Sequence, residues 1–260
     1  MSQAGRRSAL ALLAVLLAWI GGFVDGVGYL LLQKVFVAHQ SGNTVASTVG
    51  VAQGDWSLVI RRGPPIALFV LGVAIGAAVL EFASRRRVSR LTSVTLSIEA
   101  VLLVGCMVAG AFVVRHGKFP TKHIWQYTGL LTLLVLAMGL QTATLRKIGR
   151  RTVRTTYISG MLTHIAEEAV GYLVDRHDAC SDPSRLQSMQ YRSRRFRLLV
   201  GIWSTYAAGG IAGAFAEIGW ATYALAVPVA ILVVVVAVDR RWPWHAPNED
   251  PLHDEVASAA

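Results

Sequence analysis

Ions are scarce in this chain. Only 15% of its 260 residues are charged, while 54% are hydrophobic. That balance excludes an ordinary soluble domain, which carries about 25% charged residues. Cysteine is scarcer still, with two residues. Cys106 lies in an apolar run and Cys180 in a polar stretch, which leaves no disulfide framework and no metal-ligand spacing. Acidic residues number 15 against 25 basic ones. A net charge of +10 could suggest nucleic acid, but the arginines cluster at the ends of apolar runs. They read as membrane-orienting charge, and no nucleic-acid partner is expected.

What remains is a series of apolar runs long enough to cross a bilayer. The composition predicts an all-α polytopic membrane protein with no separate soluble domain. Six spans are expected, near residues 9–32, 64–83, 94–114, 124–145, 198–216 and 220–238. The opening "MSQAGRRSALALLAVLLAWIGG" resembles a signal peptide, yet its apolar character continues to Leu32 without a small-residue cleavage site. An uncleaved first span after a short cytoplasmic tail, 1–8, is therefore expected. Residues 175–197 read as a cytoplasmic loop. Residues 242–260, with three prolines and little periodicity, read as a flexible tail.

Two polar stretches, 43–60 and 160–174, are ambiguous. If neither crosses and the N-terminus is cytoplasmic, 19 of the Lys and Arg residues lie inside and six outside. Letting both cross lowers the best split to 15 against 10. Seven spans, with only the first stretch crossing and the N-terminus outside, give 18 against 7. The positive-inside rule disfavours eight spans and does not separate six from seven.

A repeat favours six. A shift of 118 positions carries Gly21 onto Gly139, Ser41 onto Ser159 and Gly42 onto Gly160. A shift of 137 carries Gly72 and Gly76 onto Gly209 and Gly213. The order is the same in both halves, about 9–114 and 124–238: span, Ser-Gly break, Gly-x-x-x-Gly span, further span. Three spans per half make the repeats inverted, as in many transporters.

The breaks concentrate polarity. In "VFVAHQSGNTVAS", residues 34–40 are expected to descend as extended chain. Ser41 would cap a half-helix starting near Asn43, with Gly42 turning the chain. In "TTYISGMLTH", Ser159 and Gly160 would do the same from the other face. Helix starts carry free N–H groups and partial positive charge, so two facing starts suit a polar or anionic solute. Ser41, Gly42, Asn43, Gln141, Ser159 and Gly160 are the candidate solute contacts. The competing reading is two re-entrant helices without a ligand.

These stretches also carry a resemblance. "GGFVDGVGYLLLQKVFVAHQSGNTVA" and "AMGLQTATLRKIGRRTVRTTYISGMLTHIAE" are similar to the signature of the YoaK-type bacterial membrane proteins, a domain-of-unknown-function family. That pattern has Met-Thr-Gly-Asn in its first motif and Thr-Gly in its second. Here Gln40-Ser41-Gly42-Asn43 and Ser159-Gly160 stand there, which keeps the hydroxyl and makes the first motif more polar. The resemblance implies a multi-pass protein of the bacterial inner membrane and implies no particular substrate.

Four further residues are candidates for coupling. Asp25 lies deep in the first span, where a charge costs about 2.5–3.5 kcal/mol on insertion scales. It either couples protons or cations, or is an Asp kept neutral or bonded to backbone near Gly22 and Gly26. His39 and His164 flank the two breaks and could relay protons or act as plain polar residues. Glu99 could couple, approach the cytoplasmic interface or pair with an Arg among 85–90. His164, Glu167 and Glu168 lack a metal-ligand pattern, so no metal or cofactor is expected. No nucleophile with a base stands out, so no enzyme is expected. The expected function is a secondary transporter or channel-like permease for a small polar or anionic solute in the lipid bilayer. The alternative is a non-transporting scaffold or lipid-binding protein. The Gly-x-x-x-Gly segments serve packing within the chain or a homodimer.

Overall fold

A computed structural model describes residues 3–86, 90–113, 124–148, 158–178 and 185–241. The sequence-based readings of Cys180 and of the tail 242–260 lie outside these residues. Eight α-helices occur among the described residues: α1 Gln3–Leu31, α2 Gln40–Gln53, α3 Trp56–Arg85, α4 Leu91–Val113, α5 Ile124–Ile148, α6 Ile158–Asp178, α7 Arg185–Trp220 and α8 Ala226–Arg241. A 3₁₀ segment, Ala221–Leu225, joins the last two. The fold is all-α, as expected. Residues 175–178 and 185–197 are helical, which corrects their reading as a loop. Asp175 pairs with Arg185 and Arg192 across α6 and α7, and Arg192 and Arg195 pair with Glu168, instead of being solvated along a loop.

Five stretches are long and apolar enough to cross a membrane: Ala9–Leu31, Trp56–Arg85, Thr92–Val113, Trp125–Leu145 and Arg185–Arg241. The fifth contains two helices of opposite direction, as the glycine contacts demonstrate. A Cβ on Gly22 would meet the Tyr206 carbonyl, and one on Gly26 would meet the Gly210 carbonyl. So α1 and α7 run parallel at backbone contact. Gly72 lies against Leu136 and Gly139, and Gly76 against Leu140 and Ala143, so α3 and α5 also run parallel. Gln141 reaches the Leu17 carbonyl and Tyr127 the Leu32 carbonyl, so α5 opposes α1. Gly110 meets Thr222 and Ser93 bonds Asp239, so α8 opposes α4. With α4 starting beside the end of α3, these directions make α8 run opposite to α7. Six passes result.

These directions put both kinds of interface marker where a bilayer needs them. The arginines of the α1 start, the α3 end, the α6–α7 hairpin and the α8 end share one side. Trp56, Trp125, Trp220 and Tyr223 are all strongly exposed at the other. Aromatic side chains of this kind favour the headgroup region. Between the two ends, Val101, Phe112, Phe215 and Ile218 face outward, as hydrocarbon permits and water does not. The interior is a cluster of Leu, Val and Ala from α1, α4, α5 and α8, including Leu17, Ile20, Leu103 and Leu134.

The first break is re-entrant. Gln33 and Lys34 take φ values of 53° and 67°, which turn the chain back at the end of α1. Residues 35–39 return along α1 and α2 begins level with Asp25. α2 then runs outward for 14 residues. Gly54, at φ 70°, ends it in the left-handed conformation that glycine adopts without strain. Asp55 caps α3 by accepting the Leu58 N–H at 3.1 Å. The second half places α6 differently: Met161 packs with Ala18, Leu199 and Ile202, and α6 then runs antiparallel to α7. Its start is therefore level with Ala18, seven residues or about 10 Å along α1 from Asp25.

Candidate functional site

Asp25 is 7% exposed and sits within the first apolar run. Its level can be read on α5, because Leu32 lies beside Tyr127 and Leu17 beside Gln141. Asp25 is thus level with the region of Leu134, about 13 Å below Trp125. That depth is near the middle of a ~30 Å hydrocarbon layer. A carboxylate there requires partners, and it has four. Oδ1 accepts the Val37 N–H at 3.1 Å and the Ala38 N–H at 2.9 Å. Oδ2 pairs with His39 Nδ1 and accepts the Tyr206 hydroxyl. Tyr206 Oη is also 3.1 Å from His39 Nδ1, and the two rings meet edge to face at 5.3 Å. Hydrogen bonds to a charged group contribute about 1.5–3 kcal/mol each, enough together to offset burial. The backbone donors are those of the descending loop, which corrects the expectation of bonds near Gly22 and Gly26. α1 cannot use its own N–H groups there, because its helical ladder already holds them.

Asn43 braces the same loop from α2 and is fully buried. Its Oδ1 accepts the Phe36 N–H at 3.2 Å and Arg62 Nη1 at 3.3 Å. Its Nδ2 donates to the Phe36 carbonyl at 2.7 Å and to Gln40 Oε1 at 2.9 Å. Every polar atom of Asn43 is engaged, so it holds the loop and leaves nothing for a solute.

The Ser-Gly roles need correction. α2 starts at Gln40 with His39 in the cap position and without a side-chain cap bond. Ser41 lies in the first turn and is exposed. His39 takes the capping place because Asp25 and Tyr206 fix its side chain. Gly42 makes no turn; a Cβ there would meet the Phe36 ring at 2.8 Å, so its task is close packing. In the second half α6 begins at Ile158, which places Ser159 and Gly160 in its first turn instead of at its cap. Of residues 155–158, expected to descend there, 155–157 lie outside the described residues and 158 is already helical.

The remaining candidates separate. Gln141 is fully buried, and its Nε2 donates to the Leu17 carbonyl at 3.1 Å. A Cβ on Gly21 would meet Gln141 Oε1 at 3.2 Å and Tyr206 Cε2 at 3.9 Å. Gln141 therefore adjoins the Asp25 cluster. Glu99 is fully buried in α4, and neither of its oxygens has a partner among the described residues. It pairs with none of the described arginines, because it faces the apolar interior with Leu96 and Leu103. His164 points outward on α6 and pairs with Glu167 at 2.9 Å, away from the cluster. Glu168 belongs to the α6–α7 pairing with Arg192 and Arg195. Tyr206 was not a sequence candidate. Nothing marks a tyrosine in "GIWSTYAAGG" until the parallel packing of α1 and α7 brings it to Asp25.

An all-helical, multi-pass membrane protein with a re-entrant helix anchored on a buried carboxylate is the class these features define. Within that class, the chain belongs to the family described as "Protein of unknown function (DUF1275)", whose model matches residues 13–238. It is 28% identical over 173 residues to the UPF0700 transmembrane protein YoaK of Bacillus subtilis (strain 168), covering 66% of this chain and 72% of that one. No solved structure matches.

Proposed function

We propose that the protein is a secondary transporter or channel-like permease of the bacterial inner membrane, moving a small polar solute past the Asp25–His39–Tyr206 cluster. One observation carries the reading: a titratable pair near mid-membrane joins the start of a re-entrant helix to two spanning helices. A structural cap needs no histidine. A Tyr–His–Asp chain can hand a proton between α1, the loop and α7 while keeping each atom partnered. The halves support an inverted repeat. The Gly72/Gly76 face of α3 packs on α5, and its counterpart, the Gly209/Gly213 face of α7, packs on α1. α2 exits toward the aromatic end and α6 toward the arginine end, so the two half-helices enter from opposite sides. Rocking one repeat against the other would open the cluster to each side in turn.

The test is flux in reconstituted vesicles across a panel of small solutes with and without a pH gradient. Wild-type protein is expected to carry at least one panel member above protein-free vesicles. Asp25→Asn and Tyr206→Phe are expected to lose that flux while eluting as folded protein. Undiminished flux in both variants, or none in the wild type, removes the reading. The second reading, lipid binding without transport, draws on a shallow groove between α6 and α7 lined by Tyr172, Met189, Arg194 and Arg197. Vesicles whose flux stays at background while lipid co-purifies would favour it.

A further inference from the structure

We infer that the buried face between α1, α5 and α7 receives the N–H end of a small cation of the ammonium class, with Gln141 Oε1 as its acceptor and the Tyr206 ring as its wall. The inference rests on the permease reading and names its solute class. An anion was the natural expectation for a helix start in the membrane. A carboxylate already stands at that start, however: Asp25 takes the Val37 and Ala38 N–H groups of the loop just before α2. A second anion would face that carboxylate at close range.

The unmet demand beside the cluster has the opposite sign. Among the described residues, four buried side-chain atoms lack a partner: Glu99 Oε1, Glu99 Oε2, Gln141 Oε1 and, at the charged α6–α7 end, Arg195 Nε. Of these, Gln141 Oε1 adjoins the Asp25 cluster, and an amide oxygen can only accept. Buried polar atoms are almost always paired, so an orphan marks a place where a partner is missing. The orientation of the Gln141 amide is fixed chemically, because its other end meets the Leu17 carbonyl, which can only accept. Oε1 must therefore be the free end.

The free end has room of the right kind. At Gly21, apart from the backbone of α1 itself, only Gln141 Oε1 and Tyr206 Cε2 come within 4 Å of where a methyl group would stand. No backbone of a neighbouring helix closes off Oε1 there, so a small N–H group can reach it. The Tyr206 hydroxyl bonds Asp25, which supplies negative charge one turn along α1.

The experiment uses the purified full-length chain in detergent, with unfolding followed by tryptophan fluorescence. Ammonium chloride and methylammonium chloride are compared with sodium and choline chloride at equal ionic strength, and ammonium acetate with ammonium chloride. A ligand that binds only the folded state raises the midpoint in proportion to its saturation. Ammonium and methylammonium are expected to raise it saturably, whichever anion accompanies them. Gly21→Ala, which keeps every polar group and fills the space, is expected to weaken the apparent affinity at least tenfold. Gln141→Leu is expected to do the same while unfolding normally in sodium chloride. No cation-specific shift, a shift that follows the anion, or an equal shift in both variants overturns the inference. The two readings fail separately. Anion flux by the wild type would sink this one alone, whereas ammonium binding without any flux would sink transport alone.

Discussion

At the scale of single residues, the cluster around Asp25 sets a graded series of expectations. Asp25→Ala leaves two loop N–H groups without a partner and takes the carboxylate away from His39 and Tyr206, so a loss of about 3–5 kcal/mol is expected, the range for breaking a buried pair. Tyr206→Phe removes one of four partners and should cost about 1–2 kcal/mol. Ser41→Ala should stay within about 0.5 kcal/mol, since the hydroxyl caps nothing. Denaturant titration in a fixed detergent checks the order, and a Ser41→Ala loss comparable to Tyr206→Phe would contradict it. Sequence alone exposed Asp25, His39 and Gln141, because polarity inside an apolar run is costly enough to need a reason. It could not expose Tyr206, 181 positions from Asp25, since a tyrosine in a span is unremarkable without its neighbour. It misassigned the serines because a hydroxyl before a helical pattern is the commonest cap. Here a histidine held by two partners took the position.

The α6–α7 hairpin and the glycine contacts belong to the scale of elements. Arg192 joins Asp175 at 2.9 Å and Glu168 at 3.5 Å, Arg195 joins Glu168 at 2.7 Å, and the Ser188 hydroxyl donates to Asp175 at 2.6 Å. The Ser188 hydrogen bond, followed by the bond and charge of Arg192 and the charge of Arg185, holds the Asp175 carboxyl below the usual carboxylate range. A lowered value in the folded state means that this stabilisation is complete above the ordinary range, about 3.9. It is lost as pH falls through the folded value. The protection of amides in 185–192, corrected for the intrinsic pH dependence of exchange, should therefore fall in acid for the wild type. Asp175→Asn should exchange fast already at neutral pH. Glycines sort in the same way. Gly26→Leu forces α1 and α7 apart and is expected to cost at least about 1–3 kcal/mol. Gly201→Ala meets nothing within 4 Å and should be neutral or stabilising by up to about 1 kcal/mol. The long apolar helices were legible from hydropathy. The hairpin was not, because paired charges on facing helices look like a hydrophilic loop when only one dimension is visible.

At the scale of the whole molecule, the arginine distribution and the helix directions agree on one orientation. By the positive-inside rule that orientation would put the α2–α3 turn outside and the α6–α7 hairpin in the cytoplasm. Gln53→Cys should then react with an impermeant maleimide in intact cells, and His177→Cys only after permeabilisation. The reverse pattern would refute the orientation. Lys and Arg counts left six and seven passes close together. The course of 32–53, which turns back along α1 and then runs outward as α2, is what six passes require.

Only Gly54 and Asp55 separate α2 from α3, a 30-residue helix about 45 Å long. α2 therefore hangs from the outer end of a helix that reaches the opposite surface. Pro64 and Pro65 interrupt the backbone ladder of that helix near its outer third and give it a place to bend. A bend there would swing α2 and leave the arginine end of α3 where it is.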